Sequence, residues 1–347
     1  MKVLVSGSGG FLGYYVVSCL IERGHKVRAI VRPSSPIPSW RGEVEVLRAD
    51  LRATDKLVSA FDGIDAVLHL AASTSGDEDL QFTSTVVGTE KFLEAMSKSS
   101  VKRLVHVSSL VVYDWSRARR TMEEETPLEN EIYKLGGYTI AKVWQERVVS
   151  RAAAAHSWEL TIVRPGFVWG PEHAEIGGMG RIFGHFYLML GPFTRLPLTH
   201  VVNCANCLVA TIETPAAIGE VFNVIDEDEI RVLRYVREYR RRTGRRGILL
   251  PVPYRVGLAV ARLASFLSRM LFGNKGRLPS LLSPRQFERQ FKPIRFSTQR
   301  LRDKLSWRPP LSFDECLDLT YRSFRNPSDK WVFTRPDRTS FKQGRRD

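Results

Sequence analysis

The chain has 347 residues, 43% of them hydrophobic and 10% aromatic. That is one large domain or two ordinary ones with enough apolar content for a sizeable core, and it excludes general disorder. Four cysteines (Cys19, Cys204, Cys207, Cys316) exclude a disulfide scaffold, and 52 Lys and Arg against 37 Asp and Glu leave a net charge of +15 that points to an anionic partner: phosphate, an acidic lipid surface or nucleic acid.

The first residues, Met1-Lys2-Val3-Leu4-Val5, read at once as a strand, so no signal peptide is expected. Short β-branched runs then alternate with helix-period segments as far as Pro165. The strand-like runs are Lys2–Ser6, Lys26–Val31, Val44–Arg48, Ala66–Leu70, Arg103–Ser108 and Leu160–Val163. The helix-like segments are Phe11–Arg23, Thr54–Phe61, Leu80–Lys98 and Gly137–Ala155. Strands almost continuous in Val, Ile and Leu fit a parallel sheet covered on both faces, and the alternation predicts a doubly wound α/β sheet of Rossmann type. Beyond Pro165 glycine and proline are dense through 166–197, Glu220–Val224 reads as a late strand, and the rest reads as helices to about Phe324. The expected organisation is a dinucleotide-binding domain over 1–170, to which a strand near 200–225 returns. A smaller substrate-binding region follows over 171–199 and 226–325, with a basic, poorly ordered tail over 326–347. In Tyr254–Phe272 the apolar run is broken by Arg255, Arg262 and Arg269; at roughly 2.5–3.5 kcal/mol per central arginine, a spanning helix is not expected. A cytoplasmic protein is.

The first strand runs into Gly7-Ser8-Gly9-Gly10-Phe11-Leu12-Gly13 and then an apolar helix. Gly7, Gly10 and Gly13 divide three tasks: a tight turn, close backbone approach to a pyrophosphate, and close packing of helix on strand. The helix N-terminus offers unpaired amides and partial positive charge. A dinucleotide is the expected ligand. The second strand ends Ala29-Ile30-Val31-Arg32 with no carboxylate for a ribose 2′-hydroxyl. Arg32 therefore favours NADP(H) over NAD(H).

Tyr138-Thr139-Ile140-Ala141-Lys142 sets a phenol and an ammonium four residues apart, on one side of a helix. A nearby cation stabilises a phenolate, which suits proton transfer, and Lys142 can also bind ribose hydroxyls. Strand Arg103–Ser108 leads to Ser109 at the carboxyl edge, where α/β sheets bind ligands, and Ser109 can donate to a substrate carbonyl.

With these residues in order, the chain resembles an extended short-chain dehydrogenase/reductase of the NAD-dependent epimerase/dehydratase family, over roughly residues 1–325. The resemblance rests on Ser6-Gly7-Ser8-Gly9-Gly10-Phe11-Leu12-Gly13, Ala49-Asp50-Leu51, His69-Leu70-Ala71-Ala72, and Val107-Ser108-Ser109-Leu110-Val111-Val112-Tyr113. It continues through Tyr138 and Lys142, Arg164-Pro165-Gly166-Phe167-Val168-Trp169-Gly170-Pro171, Gly219–Val224 and Leu305-Ser306-Trp307-Arg308-Pro309. It implies that Asp50 and Leu51 hold the adenine and that Leu70, Ala71 and Ala72 line the middle of the cofactor. Ser109, Tyr138 and Lys142 would be catalytic. Pro165, Gly166 and Val168 would meet the nicotinamide carboxamide.

Two positions depart from the family pattern. Thr85 stands where asparagine commonly precedes Val-x-Gly-Thr, and Val202-Asn203 stand where acidic residues usually follow His200-Val201. The stretch Ser109-Leu110-Val111 lacks the carboxylates of nucleotide-sugar dehydratases, and Gly166 replaces the asparagine that many epimerases carry after Arg-Pro. The pattern looks more like the dihydroflavonol reductase and 3β-hydroxysteroid dehydrogenase arm. That arm implies hydride transfer to or from a secondary alcohol or ketone on a hydrophobic, sterol-like molecule. The alternatives are a nucleotide-sugar epimerase with tightly held NAD(P) and a regulatory protein that binds NADP without turnover.

Arg231–Arg246 holds eight arginines in sixteen residues, beside the apolar Ile248–Phe272 with arginines spaced by seven. Peripheral contact with an anionic membrane through 231–272 is one expectation, and an arginine-lined solvent face of a pocket-covering helix is the other. Neither nucleic acid nor metal is expected: no nucleic-acid module accompanies the arginines, and Cys204-Ala205-Asn206-Cys207 has no second pair, so it reads as packing. A small-molecule substrate is the expected partner, and a homodimer is open.

Overall fold

A computed structural model describes residues 1–325 apart from 41, 54–56, 119, 133–134, 177–178, 184, 228, 246, 273–278 and 280–281. The expected basic tail, 326–347, lies outside the described residues.

Seven parallel strands form the central sheet: β1 (Lys2–Ser6), β2 (Lys26–Val31), β3 (Val44–Arg48), β4 (Ala66–His69), β5 (Arg103–Val107), β7 (Glu159–Pro165) and β12 (Val221–Val224). Their order is β12-β7-β5-β4-β1-β2-β3, so the chain winds outward from β1 in one direction and then from β4 in the other. Register aligns Ser6 with His69, His69 with His106, Val107 with Val163, and Pro165 with Val224. Gly7, Leu70, Ser108 and Gly166 therefore leave the sheet along one edge.

Alternate residues of these strands enter different cores. Val3 and Val5 join the cluster under α1 (Phe11–Glu22) and α5 (Val201–Glu213), while Leu4 joins the one under α3 (Gly88–Ser97) and α4 (Gly137–His156). Both faces are covered, which is why the strands carry no polar alternation. Cys204 and Cys207 are fully buried in the first of these clusters, where burial pushes both thiols well up.

Three expected elements differ. Thr54–Phe61 contributes a single 3-10 turn, Val58–Phe61, with 54–56 outside the described residues. Leu80–Lys98 is α2 (Glu78–Phe82), a π-turn over Thr83–Val87, and then α3. The cause is a run of hydroxyl-bearing and β-branched residues whose side chains bond elsewhere: Thr85 Oγ1 accepts from the Ser73 amide at 2.9 Å and Thr89 Oγ1 donates to the Thr85 carbonyl at 2.6 Å. The apolar run from Ile248 is not one helix. Pro251 and Pro253 divide it into strand β13 (Ile248–Val252), at the edge of a sheet where a missing amide is tolerated, and α7 (Tyr254–Phe272), which starts just past the second proline.

The remaining strands are short: β6 (Thr121–Met122), β8 (Phe167–Trp169), β9 (Arg181–Phe183), β10 (Phe186–Leu190), β11 (Leu198–His200) and β14 (Arg295–Phe296). Sheet β13-β10-β9 and pairs β11-β8 and β14-β6 lie beyond the carboxyl ends of the main strands, with α6 (Val232–Thr243), α8 (Pro284–Phe291), α9 (Gln299–Leu305) and α10 (Phe313–Arg325). A separate cluster around Trp169, Tyr235 and Phe313 packs this part. Asn203 donates to Asp226 and to the Leu311 carbonyl, both at 2.9 Å, so it tethers α5 to segments far along the chain.

Candidate active site

The glycine turn is built by close approach. Gly7 has φ +73°, and a side chain there would meet the Ala71 backbone at 2.8 Å; at Gly13 it would meet the Gly7 carbonyl at 2.1 Å. Those two glycines shape the turn, the Gly10 amide closes it on the Gly7 carbonyl at 3.0 Å, and Ser8 Oγ pins it to the Ile30 carbonyl at 2.8 Å. Gly9 and Gly10 face outward. No side chain caps α1 and no acidic residue stands in its first turn, so the amides at Phe11 and Leu12 are offered to an anion. The Phe11 ring packs on His173, with centroids 4.1 Å apart.

Beside this turn lies a cavity of about 300 Å³ lined by Arg32, Ser34, Asp50, Arg52, Ser73 and Ser84, among others. Arg48 donates to the carbonyls of Pro33 (2.8 Å) and Ser35 (3.0 Å), which fixes the loop that carries Arg32 and Ser34. Asp50 is clasped by Arg52, with Nη2 to Oδ2 at 2.6 Å and Nε to Oδ1 at 3.0 Å, and that guanidinium holds the carboxyl below its ordinary range. Arg52 was not singled out from sequence; a basic residue two positions past Asp50 was the available signal. Leu51 packs into the adjoining core, and Leu70 donates its amide to the Ser6 carbonyl at 3.2 Å. An uncapped helix end over a glycine turn, next to a pocket with two guanidiniums and several hydroxyls, fits a dinucleotide.

At the other end of the edge, Ser109 opens a 3-10 turn and its Oγ accepts from the Val111 amide at 3.3 Å. The Ser109 side chain lies near enough to the Tyr138 phenol to lower its pKa. Burial is the larger effect and raises the phenol above its ordinary pKa. Lys142 follows one turn along α4 but is engaged elsewhere: its Nζ donates to the Val107 carbonyl at 2.7 Å and to Gln145 Oε1 at 2.6 Å. Burial pushes the amine down to about 7. The structure thus joins Ser109 to Tyr138, and sets the ammonium against the end of β5 where the sequence reading placed it beside the phenol.

Gln145, which that reading also missed, is fully buried and donates to the Ala71 carbonyl and Thr89 Oγ1, each at 2.8 Å. Its place three residues after Lys142, on the same helix side, was the only hint. Through it the Lys142 site is connected to the turn after β4. Behind Ser109, Ser108 Oγ donates to Glu146 Oε2 at 2.5 Å, and Arg164 pairs with Glu146 and donates to Tyr113 OH at 2.8 Å. From α8, Arg289 donates to the Val111 carbonyl and, at 3.4 Å, to Thr139 Oγ1, so this helix touches the chain on both sides of the Ser109–Tyr138 pair. Pro165 ends β7; the Gly166 amide is used by the Val224 carbonyl at 3.0 Å, its Cα packs on Pro197, and Val168 lies half-buried in β8.

A model of the NAD dependent epimerase/dehydratase family matches residues 3–224, and the chain belongs to that family. A Mycobacterium tuberculosis 3 beta-hydroxysteroid dehydrogenase/Delta 5-->4-isomerase is 28% identical over 335 residues, covering 91% of this chain and 88% of that protein. A Stigmatella aurantiaca 4-hydroxy-2-methyl-3-oxo-4-farnesyl-3,4-dihydroquinoline-1-oxide ketoreductase is 27% identical over 290 residues, 81% of this chain and 84% of the other. Among solved structures, UDP-glucose 4-epimerase from Thermotoga maritima shares the fold with a TM-score of 0.71 at 19% identity, covering 94% of this chain and 100% of that one. A short-chain dehydrogenase/reductase superfamily protein from Agrobacterium tumefaciens with bound NAD does so with a TM-score of 0.70 at 21%, covering 95% and 99%. The chain is an enzyme of extended short-chain dehydrogenase/reductase type, an NAD(P)-dependent oxidoreductase or epimerase.

Proposed function

We propose that the enzyme is an NADP(H)-preferring oxidoreductase that interconverts a secondary alcohol and a ketone on a hydrophobic, sterol-like substrate. The observation that carries this reading is that the Ser109 and Tyr138 side chains come together at the carboxyl edge of the sheet. The bound nicotinamide supplies the hydride chemistry. In the reducing direction Ser109 orients the carbonyl oxygen and Tyr138 gives it the proton. Lys142, anchored on the Val107 carbonyl and Gln145, holds the ribose hydroxyls. Gly9, Gly10, Phe11 and Leu12 hold the pyrophosphate on backbone amides, Asp50 and Leu51 the adenine, and Leu70, Ala71 and Ala72 the middle of the cofactor. Pro165, Gly166 and Val168 back the carboxamide. Arg32 and Arg52 bind a 2′-phosphate, and residues 171–199 and 226–325 form the substrate region.

Support for the substrate class comes from relatives named for steroid and farnesylated ketone chemistry. Tyr138→Phe is expected to lower turnover at least about a thousandfold while NADPH binding, followed by cofactor fluorescence, stays within a few-fold. Near-normal turnover in that variant removes Tyr138 as the acid. Stoichiometric absorbance change with substrate separates this reading from epimerisation, in which the cofactor is regenerated.

A further inference from the structure

Most surface helices present polar residues to water; α7 presents the opposite. Its inner face is seated firmly. Leu258 and Ala261 are buried against Phe287 and Phe291 of α8, and Gly257 lets the Phe287 ring come so close that a side chain would meet it at 2.4 Å. The outer face consists of Val260, Leu263, Phe266, Leu267, Met270 and Leu271, the last two 69% and 73% exposed. Helical spacing puts Arg255, Arg262 and Arg269 along one flank, where Arg262 pairs with Glu288 of α8 at 3.6 Å, while Ser265 and Ser268 fall on the half-buried inner side. From Tyr239 to Phe272 the sequence holds eight arginines and no Asp or Glu.

We propose that this outer face of α7 docks on an anionic lipid surface, its apolar side chains entering the interface and Arg255 and Arg269 meeting lipid phosphates. Charge selects the occupant. A second copy would bring the same acid-free, arginine-flanked helix against itself, with like charges facing. Lipid phosphate complements the arginines, whose long stems let the guanidiniums reach the headgroups while the neighbouring apolar residues are covered. Three arginines of α6 are engaged within the protein. Arg234 and Arg242 pair with Asp314 and Asp318 of α10, and Arg241 with Glu238. Within 231–272 the exposed large apolar residues are concentrated on α7, which makes it the lipid-facing part. No helix of the described residues is long and apolar enough to cross a membrane, which leaves α7 to lie in the interface plane. Because α7 rests on α8, and α8 reaches Val111 and Thr139 through Arg289, docking would hold the catalytic edge close to the lipid.

The inference does not depend on the redox reading and is tested without turnover. The full chain is sedimented with phosphatidylcholine vesicles, with and without phosphatidylserine, at low and high salt. Pelleting with the anionic vesicles that weakens with salt is expected. L267S/M270S should weaken it at least about ten-fold, because both side chains are exposed and their burial is what docking gains. R255Q/R269Q should lose the preference for phosphatidylserine. Unchanged thermal midpoints and NADPH binding show that both variants are folded. No charge-dependent pelleting of the wild type, or pelleting that neither variant changes, overturns the proposal. So does a stable dimer in analytical ultracentrifugation that L267S/M270S dissociates, since a second copy would then own the face.

Discussion

Lys142 is only 2% exposed, with its ammonium on a backbone carbonyl and an amide oxygen. Burial is the main reason that its pKa falls to about 7, against about 10.4 for an unfolded lysine. An amine with a depressed folded pKa binds fewer protons when folded, so stability rises with pH between those two values and is lost as pH falls through them. Lys142→Met removes this dependence. From about pH 7 to 8.5 the stability of wild type relative to Lys142→Met, measured by denaturant unfolding, is expected to climb towards about 1.4 kcal/mol per pH unit. A constant difference would show that the folded amine stays charged throughout. Tyr138, Lys142 and Ser109 could be put forward from sequence because their chemistry is carried by type and spacing. That Lys142 lies on Val107 and Gln145 was not, since β5 and α4 meet only in the folded chain.

At the scale of elements, α4 is the beam that carries the site. One side presents Tyr138, Lys142 and Gln145; further along, Glu146 enters a buried pair with Arg164 of β7 and takes the Ser108 hydroxyl. Tyr113 OH passes the connection on to Asn223 Oδ1 in β12 at 2.7 Å. Removing one partner of such a pair leaves a buried charge without compensation, so Glu146→Leu should cost about 3–5 kcal/mol in denaturant unfolding. Adding Arg164→Met should restore most of it. A loss below about 1 kcal/mol for the single variant would mean that solvent reaches the guanidinium. The strands and the long helices were legible from hydrophobic runs and spacing. The π-turn at Thr83–Val87 and the strand at Ile248–Val252 were not: one depends on a bond to Ser73, the other on an edge offered by β10.

Over the whole molecule, cofactor binding and stability are linked. A ligand that binds only the folded chain stabilises it by about 2.7 kcal/mol at a hundred times its dissociation constant. If Arg32 and Arg52 bind a 2′-phosphate, NADPH should raise the thermal midpoint more than NADH at equal concentration, and Arg32→Asp should narrow or reverse that order. Equal midpoints with the two cofactors would take both arginines out of the phosphate site. The glycine turn and the Rossmann class could be read from the chain itself, because each is a local pattern: a turn that tolerates no side chain, and runs of one polarity. Which guanidinium faces the pocket, which carbonyl holds the lysine and which face of α7 stays bare were decided by tertiary structure. Those outcomes depend on residues brought together from distant parts of the chain, and no local spacing encodes them.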